Sequence, residues 1–95
     1  MSKILIANWK MNLSAGESVK FIQALKSQKT KVVIAAPFTF LPGMIKLAKQ
    51  QKIKLAGQNV CQFTAGAYTG EISAKMLKEA GCSYCLVGHS ERRIY

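Results

Sequence analysis

The sequence predicts an α/β fold built on a parallel sheet. Four short apolar runs recur along 95 residues, and each gap between them holds a segment with helical spacing and its own cap or turn signal. The order β-α-β-α-β-α-β with mostly short connectors is the pattern of parallel strands joined by right-handed crossovers.

The first run, "KILIA" at 3–7, and the second, "KVVIAA" at 31–36, are continuous stretches that suit strands buried on both faces, the second closed by Pro37. "KLAGQNV" at 54–60 is a weaker third run and "SYCLV" at 83–87 a fourth. The first predicted helix occupies "SAGESVKFIQALKSQ" at 14–28, where Ser14 and Glu17 have the spacing of a capping box. Val19, Ile22 and Leu25, with Phe21 one turn before Leu25, form its apolar side. "LPGMIKLAKQQK" places Pro42 near a helix start and uses Ile45, Leu47 and Ala48 as its apolar side. "SAKMLKEAG" opens on Ser73 as N-cap, carries Met76, Leu77 and Ala80, and closes on Gly81. The one long connector, "CQFTAGAYTGE" at 61–71, has the length of a functional or interfacial loop.

Composition narrows the function classes. No apolar run approaches the roughly 20 residues needed to span a bilayer, and the N-terminal run lacks the length and cleavage site of a secretory signal. A cytoplasmic protein without membrane association is expected. Lys and Arg outnumber Asp and Glu by 14 to 4, giving a formal charge of +10. Such a charge raises a nucleic-acid reading. The lysines at 20, 26, 29, 46, 49, 52 and 78, however, are spread over predicted helices with no aromatic RNA-binding signature among them. Solvated helix faces explain them better, so no nucleic-acid partner is expected.

In parallel α/β folds ligands gather at the carboxyl ends of the strands. The first strand ends in "NWKMN", which brings Asn8 and Lys10 there; the fourth ends in "GHSERR", with the chain's single histidine, His89, and both arginines. A helix beginning at Ser90 would present free N–H groups and partial positive charge beside His89, which favours a neutral imidazole able to donate a hydrogen bond. Lys10 is suited to hold an anion, and Asn8 to orient a carbonyl or hydroxyl. Glu91, with Lys10, Arg92 and Arg93 nearby, is expected to stay ionised and paired, which suits positioning better than proton abstraction. Cys61, Cys82 and Cys85 are an odd count that fits free thiols. With His89 they could be read as a Cys3His zinc site, but Cys85 lies inside a strand run and no metal-knuckle pattern surrounds the pair, so no metal is expected. A flavodoxin-like nucleotide site would need a glycine-rich loop after the first strand, and "NWKMNLSAG" is not one.

Five stretches, in order and at matching intervals, carry a closer likeness. "ANWKMN" at 7–12, "APFTFL" at 36–41, "GQNV" at 57–60, "GAYTGEIS" at 66–73 and "LVGHSERR" at 86–93 resemble the triosephosphate isomerase family over the whole chain. That resemblance implies a (β/α)8 TIM barrel, of which these residues make a half-barrel, the N-terminal portion (1–95) of a single barrel domain. It implies interconversion of dihydroxyacetone phosphate and D-glyceraldehyde 3-phosphate through an enediolate, without cofactor, on a small phosphorylated triose. The family's histidine is itself an established case of a neutral imidazole beside a helix N-terminus. By matching motifs, His89 would polarise the substrate carbonyl and Lys10 would bind substrate and balance its charge. Asn8 and Trp9 would complete the substrate-binding segment, and Ser90 and Glu91 would position Lys10 and the catalytic carboxylate. The "GAYTGE" loop resembles the family's dimer-forming loop, with Thr69 reaching the partner subunit and Gln58 and Asn59 at the homodimer interface.

A barrel of this kind takes roughly 250 residues. The family's catalytic glutamate, lid and main phosphate loops match nothing in these 95, so the stretch by itself is expected to be inactive. The other expectation for it is a non-catalytic half-barrel that acts as a scaffold or self-associates through unpaired strand edges.

Overall fold

A computed structural model describes residues 3–25 and 30–94. Four strands form one parallel sheet in the order β1-β2-β3-β4: β1 Ile4–Asn8, β2 Lys31–Ala35, β3 Lys54–Gly57 and β4 Tyr84–Cys85. Three α-helices return the chain between them: α1 Ala15–Ala24, α2 Leu41–Gln50 and α3 Ala74–Glu79. Each spatial neighbour is also the next strand in sequence, as successive right-handed β-α-β units produce. The architecture is that of a partial (β/α)8 barrel. No helix among the described residues is long and apolar enough to cross a membrane.

Local chemistry sets the helix starts. Ser14 accepts from the Glu17 N–H at 3.2 Å while the Glu17 carboxylate accepts from the Ser14 N–H at 3.0 Å, so the capping box closes in both directions. The predicted extent of α1 beyond Leu25, and Lys26 and Lys29 with it, falls outside the described residues. A 3₁₀ turn, Phe38–Phe40, leads from Pro37 into α2. Ser73 caps α3 through the Met76 N–H at 3.2 Å.

Two clusters divide the core along the alternation of β2 and β3. Ile34 and Leu55 point to the helix layer and pack with Ile22 of α1, Met44 and Ala48 of α2, and Leu77 of α3. Val33, Ala35 and Ala56 point to the other face and pack with Leu86.

The outer strands differ from the sequence expectation. β1 was expected to be buried on both faces, yet Ile4, Leu5 and Ile6 are 52%, 60% and 53% exposed. The fourth run was likewise expected to be a buried strand over 83–87. It pairs only at Tyr84 and Cys85, and Tyr84 and Val87 are exposed. The reason is common to both: a strand is covered by what stands beside it, and β1 and β4 are the two edges of this sheet. β3 ends at Gly57 rather than running to Val60, because the chain turns out at Gln58 to reach the long loop.

Candidate active site

The carboxyl ends of β1 and β4 meet across the top of the sheet although the two strands are not hydrogen-bonded neighbours. On the β1 side the chain leaves the sheet through a tightly held turn. The Trp9 N–H still donates to the Ala35 carbonyl at 2.9 Å, extending the β1–β2 ladder by one bond. Lys10 then adopts φ 56°, a left-handed conformation that costs a residue bearing a Cβ about 1 kcal/mol. Its backbone is fixed on both sides. The Lys10 N–H donates to Asn8 Oδ1 at 2.9 Å, and the Lys10 carbonyl accepts from Gln58 Nε2 at 2.7 Å. The same amide nitrogen of Gln58 donates to the Ala35 carbonyl at 3.1 Å, so one side chain from the end of β3 ties the tips of β1 and β2 together. Strain held by surrounding bonds in this way is typical of functional positions.

On the β4 side, Gly88 at φ +68° turns the chain, a conformation glycine adopts cheaply. Ser90–Ile94 then form a 3₁₀ helix where an α-helical start was expected; the Arg92 N–H donates to the His89 carbonyl at 3.0 Å, an i to i+3 bond. The Glu91 N–H donates to His89 Nδ1 at 3.1 Å. A ring nitrogen that accepts from an N–H has no proton of its own, so the imidazole keeps its proton on Nε2. The Glu91 carboxylate approaches Nδ1 only to 3.7 Å, beyond hydrogen-bond range. Its other oxygen lies 2.7 Å from Lys10 Nζ. That hydrogen bond, and with it the lysine charge, holds the Glu91 carboxyl below the usual glutamate range. Arg92 was expected beside Glu91; its guanidinium instead pairs with Glu71 at 2.8 Å, at the far end of the long loop. The Arg93 side chain lies outside what is described.

Asn8, Lys10, Gln58, Asn59, His89 and Glu91 thus line one cavity of about 550 Å³, and Met11 and Arg92 complete its wall. An ammonium, a neutral Nε2–H donor and side-chain amides around one cavity suit an anionic ligand that also presents a carbonyl or hydroxyl. Glu91 is already spent on Lys10, so it is poorly placed to take a proton from carbon. The ring of Trp9 lies elsewhere, edge-on against Phe21 of α1 at 5.2 Å, where it anchors the segment rather than walling the cavity. Ser90 opens the 3₁₀ helix. Thr69 sits exposed in the long loop, which Phe63 and Tyr68 stiffen by stacking 4.6 Å apart. Sequence reasoning missed the clamp by Gln58 and the wall residues Met11 and Arg92. All three lie inside the quoted motifs, so the motifs themselves were the available signal.

The cysteine–histidine reading does not survive the geometry. Cys82 and Cys85 line a groove of about 400 Å³ between β4 and α3, Cys61 pairs with Ser73 in an isolated bridge, and His89 stands at the strand tips. No group of three or more His, Cys, Asp or Glu among the described residues could hold a metal. Burial, and then the neighbouring Cys85, push the Cys82 thiol up to about 11, which keeps it protonated near neutral pH.

Comparisons with known proteins bear on the family and the fold of the chain. A family profile described as triosephosphate isomerase matches residues 3–95. The chain is 48% identical to the triosephosphate isomerase of Acetivibrio thermocellus, covering all of this chain and 40% of that protein. It is 50% identical to that of Gloeothece citriformis, covering all of this chain and 42% of that one. Among solved structures, triosephosphate isomerase from Bartonella henselae superposes with a TM-score of 0.88 at 41% identity, over 98% of this chain and 40% of that chain. The chain therefore spans about two fifths of the length of the curated relatives it matches. On the profile match, the identities and the shared half-barrel, the chain belongs to the triosephosphate isomerase family.

Proposed function

We propose that residues 1–95 are the N-terminal portion of a single barrel domain whose activity is the interconversion of dihydroxyacetone phosphate and D-glyceraldehyde 3-phosphate. The observation that carries this reading is the single cavity in which Lys10 and a histidine with its proton on Nε2 stand together. In the proposed reaction, a carboxylate base takes a proton from the carbon next to the substrate carbonyl. His89 Nε2–H donates to the carbonyl oxygen as negative charge develops there, which gives the enediolate, and return of a proton to the adjacent carbon completes the isomerisation. Lys10 balances the phosphate and enediolate charge. Asn8 sets the Lys10 turn, Trp9 anchors that segment on α1, and Glu91 fixes the ammonium with Ser90 holding the turn that presents it.

Glu91, the carboxylate in the cavity, is paired with Lys10 and is poorly placed to act as the base. We therefore assign the base, lid and main phosphate grip to other parts of the barrel, and these 95 residues alone are expected not to turn over. General acid–base catalysis is typically worth 10²–10⁴-fold, so its loss alone is easily measured. An isomerase assay on the purified 95-residue chain tests this. No rate above that of a His89→Ala control is the expected result, and turnover that depends on His89 would sink it. The stiffened loop with Thr69, together with Asn59 and Gln58 beside it, is the proposed contact with a second subunit. Gln58's amide is already engaged inside the chain, which leaves Thr69 and Asn59 as the residues a partner would meet.

A further inference from the structure

The two ends of the sheet carry different charge. Three of the four acidic residues lie toward the carboxyl ends of the strands, and each already has a partner: Glu17 in its capping box, Glu71 on Arg92 and Glu91 on Lys10. The amino ends are lined by lysine, with the fourth acid, Glu79, at the end of α3. Lys31 and Lys54 begin β2 and β3, Lys49 lies in the last turn of α2, and Lys52 sits in the turn between α2 and β3. Among the described residues none of these four is in ion-pair range of a carboxylate.

Lys49, Lys52 and Lys54 line one cavity of about 260 Å³ at that end, whose apolar wall includes Ile45, Ile53 and Leu55 and whose rim includes Ser83. The negative end of the α2 dipole accounts for Lys49 in the last turn. It does not account for Lys54, or for Lys52, which occupies a left-handed position at φ 59° where glycine would fit without strain. Three lysines lining one partly apolar cavity attract anions more strongly than lysines scattered singly over a surface.

We propose that this cavity is a second anion site, opposite the His89 end, for a compact and multiply charged phosphate. A nucleic-acid strand fits the observations less well. No aromatic residue lines the cavity, and Tyr84, next in sequence to Ser83, already carries the Lys31 ammonium 5.4 Å from its ring centroid, so bases find no stacking platform there. Ser83 adds a hydroxyl donor to the rim.

The test is calorimetric titration of the purified protein with inorganic tripolyphosphate. A triple variant, Lys49→Gln with Lys52→Gln and Lys54→Gln, is compared with one of equal charge, Lys20→Gln with Lys46→Gln and Lys75→Gln. Loss of the cavity lysines is expected to weaken binding about tenfold or more, and loss of the helix-face lysines no more than about twofold. A Lys10→Gln variant separates any anion held at the opposite end. Equal weakening in both triple variants would mean a diffuse charge effect and would overturn the site. So would a single-stranded RNA that binds more tightly per phosphate than tripolyphosphate. Acetylation footprinting of the unmutated protein needs no variant to fold. Tripolyphosphate should shield Lys49, Lys52 and Lys54 more than Lys20 and Lys46, and even shielding of all five counts against the proposal.

Discussion

The inner and outer strands of this sheet divide stability from chemistry. β2 and β3 are buried from Val33 to Ala35 and from Leu55 to Gly57, and they carry both core clusters. β1 and β4 are exposed along much of their length, and β4 pairs through two residues only. Yet Asn8, Lys10, His89 and Glu91 all leave the sheet from the outer pair. The inner strands act as a rigid base on which two loosely covered strand tips are brought to one another, and Gln58 and the Lys10–Glu91 pair perform the joining. Binding and catalytic groups are disproportionately carried on loops that a stable scaffold positions, and the scaffold under this candidate site is the middle of the sheet.

Truncating one residue from each pair should expose the contrast at its largest. Leu55→Ala, at a site 1% exposed, is expected to destabilise by about 3 kcal/mol, since it removes buried methyl groups and leaves a cavity. Ile4→Ala, at a site 52% exposed, is expected to cost less than about 1 kcal/mol because most of its surface already meets water. Urea unfolding of both variants checks the difference, and equal losses would break the division.

A steric test comes next in size. A Cβ added at Gly57 would stand 2.6 Å from both terminal carbons of Leu77, so Gly57→Ala must displace that side chain and is expected to cost about 1–3 kcal/mol. Gly43, inside α2, has nothing within 4 Å of an added Cβ. There the same substitution is expected to stabilise by roughly 0.5–1 kcal/mol through helix propensity. Opposite signs in thermal unfolding would show that the sheet-to-helix contact at β3 is closely packed.

Gln58→Ala probes the joining itself. Two hydrogen bonds are lost, and the net cost is expected to be about 1–2 kcal/mol. The sharper readout is the amide resonance of Lys10, which should shift more than that of Ile22, whose helix the clamp does not touch.

Acid titration should give the smallest effect. The Glu91 carboxyl is held below its ordinary value, chiefly by the hydrogen bond from Lys10. A carboxyl depressed on folding adds stability above its unfolded value, near 4.3, and loses it as pH falls through the depressed one. The wild-type advantage over Glu91→Gln should therefore shrink on acidification below about pH 4.3, and because the pair is half exposed the change should be modest. An advantage that grew on acidification would remove the pair from the joining of β1 to β4.

Much of this was readable from the residues. The number and order of elements followed from apolar runs and caps, since the Ser14–Glu17 box and Ser73 act within one helical turn. That Asn8, Lys10, His89 and Glu91 meet at one cavity was readable because parallel topology obliges strand ends to share one side. The burial of "ILIA" and "YCLV" was misread because their composition is that of covered strands, whereas coverage depends on neighbours remote in sequence. The clamp from Gln58 was hidden for a related reason. It requires the register that sets Ala35 opposite Ala56, just before Gln58 leaves β3, and no local pattern encodes that.

The left-handed backbone of Lys10 sets stability against utility at one position. Lys10→Gly relieves the strain and removes the ammonium in a single step. A library selected for thermal tolerance would weigh relief of that strain against loss of the Glu91 pair, and one selected for the proposed activity of the full barrel would keep lysine. Sequencing the two populations at this codon would measure how much instability the protein tolerates to keep a cation in place.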